Sequence, residues 1–445
     1  MDWLRRDYAS LWHPFTQADE WEKQEENLVI ERGEGVWLID TAGRRYVDGT
    51  SSLWCNVLGH RHPRLDAALA EQAGRIAHTT MLGLTHPGAI EHAERLCALT
   101  GLDRVFYSDS GSTAVEVALK MAFQGKQQLG ETRRTRFAAL SEAYHGDTVG
   151  SVSLGGIDLF HGIYRPLLFS ALRVESPERS DPAEEARCLA QARALFAEHG
   201  EEIAALVVEP LVQGAAGMRT HSVGFLRELA RLARAAGAWL VVDEVATGFG
   251  RSGPMFACEA AGIRPDFLCL AKAITGGYLP LAATLTSETV YGCFRGPYSA
   301  HRTFYHGHTY TGNPLAVAVA NATLDVYRDE AILERAQRAG LRLDAALRAI
   351  HHPCVTEVRR VGMMGAILLT APGGRPLPAV GRFGHRVSLA ARRHGAIIRN
   401  LGDTVVVMPP LVIDDAALDQ LVAAVAAAVS EVLGADGARA EAASG

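Results

Sequence analysis

Apolar runs alternate with helical stretches along the middle of the chain. Ala114, Ala118 and Ala122 recur every four residues, which places them on one face of a helix. Short, nearly continuous apolar runs, which predict buried strands, occupy residues 104–108, 136–140, 203–210, 238–245 and 267–273. Buried strands that alternate with helices are typical of a mostly parallel sheet covered on both faces. The pattern therefore predicts a large α/β domain over residues 61–325.

The pattern changes beyond this domain. A helical stretch over 335–350 is followed by short apolar runs and by a second helical stretch over 418–433. Short strands mixed with helices predict a smaller α+β domain over residues 326–434. Residues 1–60 are irregular and rich in aromatic residues, and we expect this segment to pack near the functional site and the small domain. The Gly/Ala-biased end, residues 435–445, predicts a disordered tail.

Composition narrows the class of protein. The 445 residues are 48% hydrophobic and 21% charged, with a net charge of −6, which is typical of a globular protein and argues against nucleic-acid and anionic-membrane partners. The N-terminus lacks a signal-peptide core, and no apolar run approaches the ~18 residues of a membrane span. Seven dispersed cysteines without a CxxC pair favour reduced thiols. We therefore expect a cytoplasmic enzyme or binding protein.

The segment DSGS, residues 109–112, lies between the first predicted strand and the following helix. Gly111 permits a tight turn, and Ser110 and Ser112 add hydroxyl groups. The first backbone N–H groups of a helix have no intrahelical partner and face the positive end of its dipole, so they suit a phosphate. Serine and aspartate are also ordinary N-cap residues, so a cap without a ligand is the alternative.

A carboxylate pair, Asp243 and Glu244, ends the apolar run at 238–245. Open α/β sheets bind ligands at this edge. Burial of Asp243 is costly unless a cation meets it, and a protonated pyridine nitrogen is one such cation. The following GFGRSG satisfies GxGxxG, but Pro254 comes directly after it, and no acidic residue lies ~20 residues on in a βαβ frame. A dinucleotide fold is therefore a weak alternative.

Lys272 follows an apolar run and precedes a glycine pair, and no other charged residue lies between Asp266 and Glu288. A buried amine loses solvation, so its pKa falls and it becomes a competent nucleophile. The alternative is a lysine whose amine reaches solvent at the end of a strand. The uncharged flanks favour burial.

Two further segments, HGHTYTGNP at 306–314 and AYHGDT at 143–148, are weaker signals. The histidines of the first lack an HExxH pattern or a carboxylate partner, so a metal site is not favoured. Tyr144 of the second could stack on a flat ring or belong to the core. Together, a phosphate cradle, a buried carboxylate, a stacking aromatic ring and a nucleophilic lysine are the groups that pyridoxal phosphate requires.

These motifs resemble the class III pyridoxal phosphate aminotransferases of fold type I. The stretches VEP, DEVATGFGRSG, AKAITGG and GHTYTGNP carry the resemblance, which runs from about residue 11 to 433. It implies a seven-stranded, mostly parallel sheet, pyridoxal phosphate as cofactor, and a homodimer with active sites at the interface. WHPFT, VDGTSSLW, YHGDT and VQGAAGM are similar to the branch that aminates 8-amino-7-oxononanoate to 7,8-diaminononanoate in biotin synthesis.

The resemblance also implies roles for the residues that match its motifs around the cofactor. Lys272 would bind the cofactor as a Schiff base and move the proton, Asp243 would pair with the pyridine nitrogen, and Tyr144 would stack on the ring. The remaining cofactor-binding positions would be Gly111 and Ser112 at the phosphate, His308 and Thr309 from the other subunit, and Glu209, which shapes the site.

Substrate positions follow from the same resemblance. Arg399 would bind the far carboxylate of the keto acid, a bidentate task suited to guanidinium. The other substrate-binding positions would be Phe15, Leu53, Trp54, Tyr144 and Gly307.

The amino donor is less clearly indicated. Family members that use S-adenosylmethionine commonly carry WHPYT, SSWW and an aromatic residue before MPP, whereas this chain has Phe15, Leu53 before Trp54, and Leu401 and Val406. At these positions the chain is more similar to relatives that take the amino group from lysine. We place S-adenosylmethionine first and L-lysine second.

Three other functions stay open at this point. A broader ω-amine aminotransferase would share the same motifs. A non-catalytic binding protein would keep the fold, although Lys272 and Asp243 are both present. A nicotinamide dehydrogenase depends on GFGRSG alone.

Overall fold

A seven-stranded sheet forms the centre of the computed structural model, which describes residues 2–434. In spatial order its strands are Arg104–Ser108, Ala282–Thr286, Phe267–Leu270, Trp239–Asp243, Ile203–Val208, Arg136–Leu140 and Leu172–Val174. Ala282–Thr286 runs antiparallel to both neighbours, and the other pairs are parallel. The predicted α/β fold with a mostly parallel sheet is confirmed.

Helices cover both faces of this sheet because its strands are apolar on both sides. Every residue of Ile203–Val208 and Trp239–Asp243 is buried. The helix that follows the first strand spans Gly111–Gln128 and buries the predicted face, including Ala114, Ala118 and Ala122. The other long helices of this region are Pro63–Ala73, Pro87–Thr100, Pro182–His199, Val223–Ala235 and Pro314–Asp329.

A second, antiparallel sheet lies in the C-terminal part of the chain. Its strands are, in spatial order, Val355–Val361, Met364–Leu369, Thr404–Val407 and Arg399–Leu401. The helices around it are Ile332–Arg348, Phe383–Arg393 and Asp415–Leu433. The domain boundaries at residues 60, 325 and 434 stay predictions, and the predicted tail at 435–445 lies outside the described residues.

The N-terminal segment is more regular than its sequence suggests. Strands Ile30–Glu34, Trp37–Asp40 and Arg45–Asp48 form a sheet, and Ala396–Ile397 joins its edge in parallel. A pairing across almost 350 positions leaves no local signal in the sequence. Shorter helices occupy Trp3–Ser10, Ala18–Trp21, Val149–Leu154, Asp158–His161, Ala257–Ala260 and Glu288–Gly292.

The closing helix differs from expectation in one respect. By length and composition, Asp415–Leu433 could cross a membrane, although no such segment was predicted from the apolar runs. More than half of its most apolar window is buried inside the fold, where the helix packs on Phe383–Arg393. A core helix passes the same test of length and hydropathy, so this feature is weak evidence for a membrane span.

Candidate active site

Two cavities meet at the carboxyl ends of the central strands. The first cavity, of about 730 Å³, is lined by the ends of Trp239–Asp243 and Phe267–Leu270 and by the first turn of Gly111–Gln128. The second, of about 610 Å³, lies between residues 14–24 and residues 382–402. Ala215 lines both cavities. A ligand held in the first cavity can therefore extend into the second.

Lys272 lies in the first cavity, directly after the strand Phe267–Leu270. It opens the short 3₁₀ helix Lys272–Thr275 with a backbone φ of +48°, a strained conformation for a non-glycine residue. Its Nζ lies 5.4 Å from the ring centroid of Trp54. Burial lowers the pKa of the Lys272 amine, and the nearby Asp243 opposes that shift. The lysine therefore meets the requirement for a nucleophilic amine.

Asp243 is buried at the end of its strand and is held by two hydrogen bonds. Its Oδ2 lies 2.7 Å from Nδ1 of His145, and its Oδ1 accepts the Val245 N–H at 3.0 Å. Nε2 of His145 is buried and has no hydrogen-bond partner within the described residues. No site role was predicted for His145 within AYHGDT. Its pairing with Asp243 spans 98 positions, so no local pattern could reveal it. The only sequence signal for a site role of His145 was its position next to Tyr144, a predicted site residue.

The first turn of Gly111–Gln128 faces the same cavity through Gly111 and Ser112. A Cβ added to Gly111 would lie 2.5 Å from Cγ1 of Val245, so glycine is required for this close approach. The Ser112 hydroxyl lies 2.7 Å from that of Thr148 and accepts the Thr148 N–H at 3.1 Å. Unpaired N–H groups at a helix start and two adjacent hydroxyls suit an anion. Thr148 was not predicted as a site residue.

Tyr144 and Glu209 also line the first cavity. The Tyr144 hydroxyl donates to Oδ2 of Asp147 at 2.7 Å, and its backbone N–H donates to Oε2 of Glu209 at 3.1 Å. Oε1 of Glu209 accepts the Gly214 N–H at 3.3 Å. Burial raises the pKa of Glu209 to about 7, and Asp243 adds to the shift. Through these hydrogen bonds Glu209 connects Tyr144 to Gly214, which directly precedes the shared residue Ala215.

A strained turn, Ser51–Trp54, brings Trp54 into the first cavity. All four residues have positive φ, from +48° to +150°, which is costly for side chains with a Cβ. Buried Asp48 holds Ser52 through the backbone N–H at 2.9 Å and the hydroxyl at 2.8 Å. Leu53 is half exposed and lines neither cavity.

Arg251 supports the same turn from the other side. It is fully buried, donates from Nη2 to Ser51 Oγ at 3.0 Å, and donates from Nη1 to the Pro409 carbonyl at 2.5 Å. The glycine-rich GFGRSG therefore wraps a buried arginine and opens no helix, contrary to the dinucleotide alternative. Arg251 was not predicted as a site residue from the sequence, because GFGRSG was considered there as a dinucleotide motif.

Arg399 lies in the second cavity with Phe15. Its guanidinium carbon is 5.8 Å from the Phe15 ring centroid, and no carboxylate of the described chain pairs with it. Burial lowers the pKa of Arg399, and Tyr144 opposes that shift. Val406, considered above as a donor-contacting position, is fully buried in a cluster with Trp54 and lines neither cavity.

Gly307, His308 and Thr309 lie in a separate loop and line neither cavity of this chain. His308 Nδ1 is 2.7 Å from Oδ2 of Asp109, which borders the first cavity. Their assignment to the site of a second subunit stays a prediction.

Comparison with known proteins places the chain in a family. The class-III aminotransferase model matches residues 19–429. A protein of Nitratidesulfovibrio vulgaris is 52% identical over 97% of this chain and 82% of its own length, and one of Geobacter sulfurreducens is 44% identical over 97% and 98%. Both are named adenosylmethionine-8-amino-7-oxononanoate aminotransferase.

Solved structures agree with this placement. The enzyme of the same name from Methanocaldococcus jannaschii superposes with a TM-score of 0.92 at 38% identity, covering 96% of this chain and 98% of that one. An amine transaminase from an uncultivated Pseudomonas species, solved with pyridoxal phosphate bound, has a TM-score of 0.90 at 35% identity, covering 95% and 98%. The chain therefore belongs to the class III aminotransferase family and is a pyridoxal phosphate-dependent transaminase.

Proposed function

We propose that this chain transfers an amino group to 8-amino-7-oxononanoate and releases 7,8-diaminononanoate, as in biotin synthesis. The observation that carries the proposal is the pair of joined cavities. Lys272 and Asp243 lie in the first, and Arg399, without a carboxylate partner in the described chain, lies in the second. The keto acid has a ketone near one end and a carboxylate at the other, so it needs both. The names of the curated relatives support the same reaction.

The first cavity fits pyridoxal phosphate. Gly111 leaves a cradle that a Cβ would fill, and the carboxylate of Asp243 is buried beside His145, whose Nε2 has no partner in the described chain. We assign Lys272 to the covalent bond, Asp243 to the pyridine nitrogen, and Tyr144 to the ring. Gly111 and Ser112 would hold the phosphate. When bound, the cofactor supplies an electron sink for the carbon that loses its proton.

The residues of the chain supply binding and proton transfer. Burial lowers the pKa of the Lys272 amine and so favours its neutral form. In that form its Nζ can accept a proton. His145 orients Asp243 through the short Nδ1–Oδ2 contact. Trp54, held by the strained turn, covers the amine and limits the access of water.

The amino donor and the assembly belong to the same proposal. S-adenosylmethionine is the first candidate, because the relatives' names include it, and L-lysine is the alternative. Phe15 lines the second cavity, where a donor side chain would lie. We further propose a cytoplasmic homodimer in which Gly307, His308 and Thr309 complete the partner's site.

Single-turnover absorbance spectroscopy tests the function directly. The purified pyridoxal form would be mixed separately with S-adenosylmethionine and with L-lysine, and the cofactor band followed to the pyridoxamine form. 8-Amino-7-oxononanoate should then restore the original band. Conversion by one donor identifies it. Failure of both donors, or of the keto acid, would contradict the proposal and favour a broader ω-amine transaminase.

Arg399→Ala should raise KM for the keto acid by roughly 10- to 150-fold, since a charge-assisted hydrogen bond contributes about 1.5–3 kcal/mol. Steady-state kinetics measure this change. Arg382→Ala is the matched control, because Arg382 lines the same cavity but pairs with Glu20. An unchanged KM in Arg399→Ala would place the carboxylate elsewhere.

Gly111→Ala should weaken cofactor binding at least about tenfold, because the added Cβ would collide with Val245 and displace the first helical turn. Cofactor retained after dialysis, measured by absorbance, reports the effect. Gly292→Ala has open space around its Cβ and should bind cofactor normally. Equal retention in both variants would exclude Gly111 from the phosphate site.

A further inference from the structure

Glu142 occupies an unusual position on the wall of the second cavity. Its backbone φ is +59°, a strained conformation for a non-glycine residue. The surrounding structure enforces it. The carbonyl of the preceding Ser141 accepts hydrogen bonds from Gln213 Nε2 at 2.8 Å and Ser176 Oγ at 2.9 Å. Gly156 packs so closely that an added Cβ would lie 2.5 Å from the Glu142 nitrogen. Glycine would suit this φ better than glutamate.

The carboxylate at this strained position is poorly matched within the chain. It accepts no hydrogen bond from residues 2–434, and its one ion-pair contact there is with Arg219 Nη1, at 4.0 Å. The side chain is 42% exposed and borders the cavity. A carboxylate that has no donor of its own is ready to receive a positive group of a ligand.

The other charged groups of this cavity either have a partner within the chain or are basic, unlike the carboxylate of Glu142. Glu20 pairs with Arg382, and Arg392 donates to the Glu26 carbonyl at 2.7 Å. Arg399 and His385 are the remaining basic groups of the lining. A substrate that enters this cavity therefore meets a carboxylate-binding arginine and, separately, the acidic side chain of Glu142.

We propose that Glu142 is a specificity-determining residue that selects amino donors with a second, distal positive charge. This inference rests on the proposed function. Both candidate donors carry such a charge, the sulfonium of S-adenosylmethionine or the second ammonium of lysine. With the reacting amine at Lys272, this charge lies several bonds away, toward the second cavity. The amino group of the keto acid is next to its ketone and stays in the first cavity, so Glu142 distinguishes the donor from the acceptor.

The test compares the two half-reactions in Glu142→Gln, which removes the charge and keeps the shape. The second-order rate constant for the cationic donor should fall by about three- to tenfold, as expected for a partly exposed charge pair. The rate with 8-amino-7-oxononanoate should stay within about twofold. Added salt should slow the wild type more than the variant, because it screens the attraction. Glu31→Gln, at an exposed position on Ile30–Glu34, controls for net charge.

Two further measurements separate charge from folding. The inhibition constant of S-adenosylhomocysteine, which lacks the sulfonium charge, should be the same in wild type and Glu142→Gln. Glu142→Gly relieves the backbone strain, so it should keep its melting temperature and still lose donor rate. An unchanged donor rate in both variants, or an equal loss for donor and keto acid, would overturn the inference. A wild type that accepts neither donor would instead overturn the proposed function.

Discussion

Lys272→Ala should lower the rate of amino transfer by at least about 10⁴-fold, because it removes both the covalent attachment and the proton carrier. The structure gives no substitute. In the described chain, Lys272 is the only lysine among the residues that line the first cavity. Lys23→Ala, at an exposed position outside this cavity, is the matched control and should retain full activity. Single-turnover absorbance with each donor measures the rate.

The variant should still bind cofactor, because Asp243, Tyr144 and the helix start around Gly111 remain in place. Its cofactor content, determined after denaturation, therefore separates a lost reaction from a lost cofactor. A small primary amine added to the buffer should restore part of the proton transfer, since the cavity has room for it. Full activity in Lys272→Ala would exclude Lys272 as the essential amine.

Asp243→Asn should lower the rate of amino transfer by about 10²- to 10³-fold, the usual effect of removing a preorganised charge that stabilises the transition state. The amide keeps the shape but cannot hold a positive ring nitrogen as the carboxylate does. In the wild type, Asp243 Oδ2 lies 2.7 Å from His145 Nδ1. The substitution also replaces this carboxylate contact by one with an amide. The absorption maximum of the bound cofactor should shift together with the rate.

Glu244→Gln is the matched control for this second variant. Glu244 is adjacent and fully buried, but its carboxylate accepts the N–H groups of Ala257 at 2.7 Å and Cys258 at 2.8 Å and lies outside the first cavity. Removing the Glu244 carboxylate should lower the melting temperature but should change the rate of amino transfer little. A normal rate and spectrum in Asp243→Asn would mean that another group meets the ring nitrogen.

The sequence predicted those parts of the fold and the site that depend on local pattern. Asp243 and Lys272 could be placed together because each ends an apolar run, and the carboxyl ends of parallel strands meet at one edge. The pairing of Ala282–Thr286 with Arg104–Ser108 and that of Arg45–Asp48 with Ala396–Ile397 were not predicted, since the two partners lie far apart in the chain.

Side-chain pairings were harder to predict than strands. His145 reaches Asp243 across 98 positions, and no periodicity reports such a contact. Val406 matched a donor-contacting position by motif, but its strand pairs with Met364–Leu369 and its side chain is buried in the core. The strained backbone of Ser51–Trp54 and Glu142 could not be foreseen, because neither segment contains glycine at the positions concerned. Such strain depends on tertiary contacts.

The pairing of Arg45–Asp48 with Ala396–Ile397 also orders events during synthesis. Val47 and Asp48 find their partners about 350 residues later, and the Gly49 carbonyl accepts the Met408 N–H at 2.7 Å. A ribosome makes about 5–20 residues per second, so residues 47–49 wait tens of seconds for residues 396–408. The central sheet can assemble during that delay, whereas the turn that carries Trp54 cannot be fixed. The nascent chain therefore acquires its scaffold first and its substrate site only after residues 396–408 have been made.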